Sequence, residues 1–209
     1  MKFTVDEFAA KPRRASAELT VERVDRRVTV RFTRPEIRNP LSVSVLDELH
    51  EIVDRCEGSS DVDALIFTGI ANVFASGADL REIAAVAPES SSEFARRGQS
   101  LMQKISDMPQ MTIAAINGYC FGGALDFALA CDRRIASPNA VFAHPGTGLG
   151  IITGWGGTQR LPRLIGLANA LEMFFTAAPV DAVRALETGL IDEIADSPMD
   201  RAAELVGAA

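Results

Sequence analysis

Two stretches of this chain join an apolar, strand-like run to a glycine-containing turn and then to the start of a helix. They are VDALIFTG…FASGADL at residues 62–80 and TIAAINGYCFGGALD at residues 112–126. The first amides of a helix lack intrahelical acceptors and carry a positive partial charge. Two such ends aimed at one point make an oxyanion hole, which holds the negative charge that develops on an acyl oxygen. Glycine at the turn lets an acyl group approach the backbone closely. The same glycines also serve ordinary strand-to-helix turns, and spacing alone leaves both readings open.

The elements that would position these turns follow from periodicity. AELTVERV and RVTVRFT read as two strands around Asp25-Arg26, with Val28, Val30 and Phe32 alternating at period two. Ser42 is placed to cap a helix whose apolar positions Val45, Leu46, Leu49, Ile52, Val53 and Cys56 follow helical spacing. VDALIFTG is a buried strand. Ser76-Gly77-Ala78-Asp79 is read as the opening of a short helix, with Ser76 and Asp79 as a capping box. PESSS breaks the chain before a helix from about Glu93 to Asp107, and TIAAIN is a second buried strand. Gly122-Gly123 then start the apolar helix ALDFALAC. Short strands around RRIAS and AVFAH lead into GTGLGIITGWGGTQR, which has no period of its own. Helices over 168–176 and 181–188, a short strand LIDEIA and a helix from Pro198 complete the chain. The reading is an α/β fold with a loosely attached arm over residues 1–16 and one domain over 17–209.

Composition narrows the function classes. The chain has 209 residues, 47% of them hydrophobic, which suffices for one domain with a substantial core. A net charge of -7 opposes a nucleic-acid partner, since phosphate neutralisation needs a basic face. Cys56, Cys120 and Cys131 form no CxxC pair and only two histidines are present, so neither a metal site nor a disulfide framework is expected. No apolar run approaches the roughly 20 residues that span a bilayer, and MKFTVDEFAAKPRR lacks the apolar segment of a signal peptide. A cytoplasmic protein is the expectation.

The segments themselves carry a resemblance. FTGIANVFASGADLREI resembles the first signature of the enoyl-CoA hydratase/isomerase (crotonase) family, and IAAINGYCFGGALDFALACDRRIAS the second. LGIITGWGGTQRLPRLIG, followed by ALETGLIDEI, resembles the third. The match runs in order over roughly residues 18–196. It implies a crotonase-like spiral of strand-strand-helix units and an oxyanion hole made by the amides of Ala78 and Gly123. It implies an acyl-CoA thioester substrate lying along Phe74, Ser76, Ala78, Gly122 and Gly123, with no cofactor because CoA is part of the substrate. A homo-oligomer, trimer or hexamer, is implied as well. Family members usually continue past the LIDEI-like strand with a helical tail, whereas this sequence ends at Ala209. A shortened tail and a more open pocket are therefore expected.

Within that resemblance, Asp126 stands at the first of two catalytic glutamates of the hydratases. A carboxylate there can hold a water or shuttle a proton, and an Asp in a first helical turn is also stabilised by the dipole alone. The position of the second glutamate is occupied by Gly146, which cannot transfer a proton. His144, two residues away, is a candidate replacement, because an imidazole titrates near neutrality. Thr153 could orient a water, Trp155 is read as a pocket wall, and Arg81 and Glu82 as solvated helix residues. The expected activity is hydratase- or isomerase-like enolate chemistry, with slow hydration. Thioester decarboxylation or hydrolysis on the same fold, or a non-catalytic acyl-CoA binding subunit, remain as alternatives.

Overall fold

The computed structural model describes residues 18–207, so the expected arm over 1–16 lies outside the described residues. The chain begins with the hairpin of β1 (Leu19–Val24) and β2 (Arg27–Phe32), in register Val21 with Val30. Its two-residue turn holds Asp25 at φ 54°, a left-handed conformation that Asp tolerates. The two-residue β3 (Pro40–Leu41) precedes α1 (Val43–Glu57). Ser42 caps α1 by accepting from Val45 N at 3.3 Å, and its six expected apolar positions are all buried.

Three long strands are each followed by a short one. The long β4 (Ala64–Thr68) leads to the short β5 (Val73–Ala75), and then to β6 (Gly77–Ala78), α2 (Leu80–Ala85) and α3 (Ser91–Ser106). After these, β7 (Met111–Ile116) leads to β8 (Tyr119–Phe121) and α4 (Gly123–Ala130). Next, β9 (Arg133–Ala136) leads to β10 (Val141–Ala143) and a 3-10 turn over Pro145–Leu149. The remainder is α5 (Gly157–Ile165), α6 (Leu167–Thr176), β11 (Val180–Asp181), α7 (Ala182–Glu187), β12 (Glu193–Ile194) and α8 (Pro198–Gly207).

The long strands, with β1, β2 and the two-residue β12, build a six-stranded sheet in the order β1-β2-β4-β7-β9-β12, parallel beyond the first hairpin. The short ones build a second sheet, β11-β10-β8-β5. Each turn of the spiral thus contributes one strand to each sheet, as the crotonase-like expectation requires. Strand alternation splits the large sheet's side chains between two faces. Ile66, Ile113, Ala115 and Ile135 pack against α8, while Leu65, Phe67, Ala114 and Ile116 face the main core. At its centre Phe67 meets Phe127 edge-on at 4.8 Å, and Phe32 meets Phe74 at 5.4 Å.

One boundary differs from the sequence reading. The helix after Ser76 starts at Leu80, and Asp79 itself is the cap, accepting from Arg81 N at 2.9 Å. Gly77, at φ 85°, and Ala78 are held extended by parallel pairing with Pro40 and Leu41. A long-range ladder overrides the local capping signal there.

Candidate active site

The two glycine turns meet. Gly123 is the first residue of α4, where amides lack intrahelical partners. A Cβ built on Gly77 would stand 2.5 Å from Gly123 N, and one built on Gly123 would stand 3.4 Å from Ala78 N. The Ala78 and Gly123 amides therefore lie side by side, where β6 and α4 touch. They open on a cavity of about 250 Å³ lined by Ser76, Ala78, Gly122, Gly123, His144 and Gly146 on one side. Leu80, Ile83, Phe94, Leu149, Ile151, Ile152, Thr153, Trp155 and Phe174 give the rest of the wall, so it is mostly apolar.

Of the sequence-derived candidates, the structure brings Ser76, Ala78, Gly122, Gly123, His144, Gly146 and Trp155 to this cavity. It does not bring Phe74, whose ring is fully buried in the aromatic core. Nor does Asp126 line it. That side chain is fully buried behind the segment carrying Thr153 and Trp155. Its Oδ2 accepts from Thr153 Oγ1 and from Trp155 N at 3.2 Å, and the Gly157 backbone lies against Oδ1. Burial raises the Asp126 carboxyl to about 6, against the opposing pull of those hydrogen bonds and of Arg160.

His144 closes the cavity floor between Asp126 and Phe174. Its Nε2 lies 3.7 Å from Asp126 Oδ1, and its ring stacks on Phe174 at 4.9 Å between centroids. Burial lowers its pKa to about 4. The indole of Trp155 is wedged between Gly123 on α4 and Gly98 on α3. A Cβ on Gly123 would come within 2.5 Å of the ring, and one on Gly98 would overlap it.

Other polar residues prove structural. Asp79 pairs with the Arg81 guanidinium, Oδ2 to Nη2 at 2.6 Å, which holds its carboxyl below the usual range. Glu82, read from sequence as solvated, accepts from Val43 N at 2.8 Å and so caps α1. No local signal could have found that contact, since the two residues are distant in the chain. Cys120 and Cys131 are buried core, as the sequence suggested. Among the described residues no cluster of side chains is suited to a metal ion, and no helix is long and apolar enough to cross a membrane.

Comparison with known proteins gives a consistent result. The model of the enoyl-CoA hydratase/isomerase family matches residues 26–205. A probable enoyl-CoA hydratase of Bacillus subtilis is 41% identical over 80% of this chain and 66% of its own length. A short-chain-enoyl-CoA hydratase of Clostridium acetobutylicum is 36% identical over 84% of this chain and 68% of its own. The chain thus spans about two thirds of the length of these curated relatives. The crystal structure of an enoyl-CoA hydratase from Bacillus anthracis superimposes with a TM-score of 0.87 at 34% identity, covering 91% of this chain and 76% of that one.

Proposed function

Because the chain belongs to the enoyl-CoA hydratase/isomerase family, we propose that it binds an acyl-CoA thioester and stabilises the derived enolate through the Ala78 and Gly123 amides. The observation that carries this reading is the meeting of those two amides at the mouth of an apolar cavity. Charge that develops on the thioester oxygen would be held there by fixed dipoles in a water-poor site, where they act most strongly. Ser76 and Gly122 lie beside the amides and Trp155, Phe94 and Ile152 would enclose the acyl group. Phe74 would support this strand from the core. CoA enters as part of the substrate, so no separate cofactor is invoked. A cytoplasmic homo-oligomer, trimer or hexamer, completes the proposal, and the exposed apolar stripe on α6 supports it.

Hydration needs a water activated at one carbon and a proton delivered to the next. With Gly146 at the cavity wall, none of the described residues that line the cavity is a carboxylate, and Asp126 stands behind it. The proposed reaction is therefore enolate-forming proton transfer of the isomerase type, with hydration slow. Gly146 also favours a second reading, a non-catalytic acyl-CoA binding subunit. Calorimetry with butyryl-CoA, beside loss of the enone absorbance of crotonyl-CoA, tests the proposal. Binding with slow hydration is expected. Failure to bind any acyl-CoA would sink it, and binding without turnover or proton exchange on any thioester would establish the second reading instead.

A further inference from the structure

Buried polar atoms without a partner are rare. Among the described residues, three such atoms gather at one place: Asp126 Oδ1 and both ring nitrogens of His144. The Nε2 to Oδ1 distance of 3.7 Å is too long for a hydrogen bond, yet the two orphaned atoms face each other. Contacts of this kind are often long in the free enzyme and tighten when substrate binds. Of the two residues only His144 lines the cavity, since Asp126 is walled off by Thr153 and Trp155. With Nε2 turned to the carboxylate, Nδ1 is the other unpartnered nitrogen; it too is sealed beneath the cavity wall, and a rotation of the ring on substrate entry would bring it to the ligand.

We infer that His144 is the catalytic acid/base of this site and that Asp126 is its positioning partner, the two working as one proton-carrying pair. This rests on the proposed acyl-thioester chemistry and deepens it. In the forward step Nδ1 of neutral His144 takes the proton from C2 of the thioester. The C–H electron pair moves into the C1–C2 bond, and the carbonyl electrons move onto the oxygen held by Ala78 and Gly123. The imidazolium is stabilised by the Asp126 carboxylate through Nε2. In the reverse step the imidazolium returns its proton to carbon, at C2 or at the far end of a conjugated dienolate. No oxidant, metal or second reactant is needed.

The pair is an acid-limited base, so it must be proton-free to start. The titratable and charged groups around it are few: Arg160 from α5 and Cys120 from β8 act on Asp126, and the apolar ring of Phe174 from α6 faces His144. Two such coupled groups titrate as a unit. Burial raises the Asp126 carboxyl to about 6.

The test is deuterium incorporation into 3-butenoyl-CoA in D2O, followed by NMR across pH 4.5–8.5, beside butyryl-CoA calorimetry. The unsubstituted protein should exchange with a rate that rises through about pH 6 and levels above it. His144→Gln should slow exchange by about 10²–10⁴-fold with binding retained. Asp126→Asn should abolish the limb near pH 6, because His144 alone is neutral throughout that range. Exchange that survives His144→Gln, or that is lost in Asp126→Asn with no change in the His144 role, would overturn the assignment. So would a protein that binds butyryl-CoA yet exchanges nothing. The chain has only two histidines, His50 and His144, so imidazole NMR supplies a check that needs no substrate. The His144 signals should respond near pH 6 in the native protein and not in Asp126→Asn. Identical titrations would disprove the pair, and absent acyl-CoA binding with a coupled titration would condemn only the underlying reading.

Discussion

Asp126 and His144 exchange protons with solvent in opposite senses when the chain folds. In the unfolded chain near pH 5 an ordinary histidine holds a proton and an ordinary aspartate does not. Burial reverses this order, lifting Asp126 to about 6 and depressing His144 to about 4. Each state then carries about one proton on the pair, so the pair adds almost no slope to stability between about pH 4 and 6. Removing one partner uncovers the other. In His144→Gln the raised Asp126 remains, the folded state binds more protons, and stability should rise as pH falls from about 6 to 4. In Asp126→Asn the depressed His144 remains, and stability should fall over about pH 6.5 to 4. Each change amounts to roughly 3 kcal/mol, at about 1.4 kcal/mol per pH unit. Urea midpoints at pH 7 and 4.5 measure it, and parallel slopes for the two variants would contradict the burial of the pair. Gly146 makes a second case at this scale. Its φ lies outside the left-handed region, yet a Cβ would come 2.9 Å from Ile151 O, whose own amide donates back to Gly146 O. Gly146→Ala should destabilise by about 1–3 kcal/mol through overpacking, read as a lower urea midpoint. An unchanged midpoint would mean that the Ile151 loop yields freely. The glycine turns were legible from residue type and position at a helix start, and Asp126 was singled out by the family resemblance. The sequence did not reveal that Asp126 is sealed behind Thr153, or that it faces His144, since only tertiary packing joins α4 to the segment after β10.

At the scale of elements, one side chain determines how three segments fit. The indole of Trp155 fills the space between α3 and α4, and it can do so only because Gly98 and Gly123 lack side chains. Gly98→Ala puts a methyl into the ring. The expected cost is about 1–3 kcal/mol, a fall of a few degrees in the melting temperature at about 2–4 °C per kcal/mol. Exchange activity should drop with it, because the ring rests on the residue proposed to supply one oxyanion amide. A scanning-calorimetry melt identical to the native one would place the indole elsewhere. The long amphipathic elements were the most clearly legible in advance. Helix α1 has its cap and its six buried positions as read, since fifteen residues give the 3.6-residue period room to show. The strands β3, β6 and β11 have two residues each, too short for any alternation, and they exist because a neighbour pairs with them. The same pairing shifted the cap of α2 from Ser76 to Asp79.

At the scale of the whole molecule, α6 presents a face that the described fold does not use. Helix α6 buries Ala170, Met173 and Phe174 on one face, and Phe174 reaches the His144 ring. On the other face Leu167, Leu171 and Phe175 recur at every fourth residue and are exposed, Phe175 by 76%. A stripe of large apolar side chains at helical spacing on a surface marks a contact site. A second copy of the chain is the occupant proposed for it, in keeping with the expected trimer or hexamer. The inner face of the same helix bears on the cavity floor, so assembly would also stiffen the ring that His144 stacks on. Phe175→Asp places a charge in the centre of the stripe, where its desolvation would oppose burial against a neighbour. It leaves the monomer's core untouched, because the ring contributes nothing to it. Light scattering at micromolar concentration should report a trimer or hexamer for the native protein and a monomer for Phe175→Asp, with circular dichroism unchanged. The variant should also show weaker deuterium exchange, since Phe174 then rests on an unsupported helix. A native protein that is already monomeric would remove the second copy as the occupant, and a variant that stays assembled would move the interface to another face.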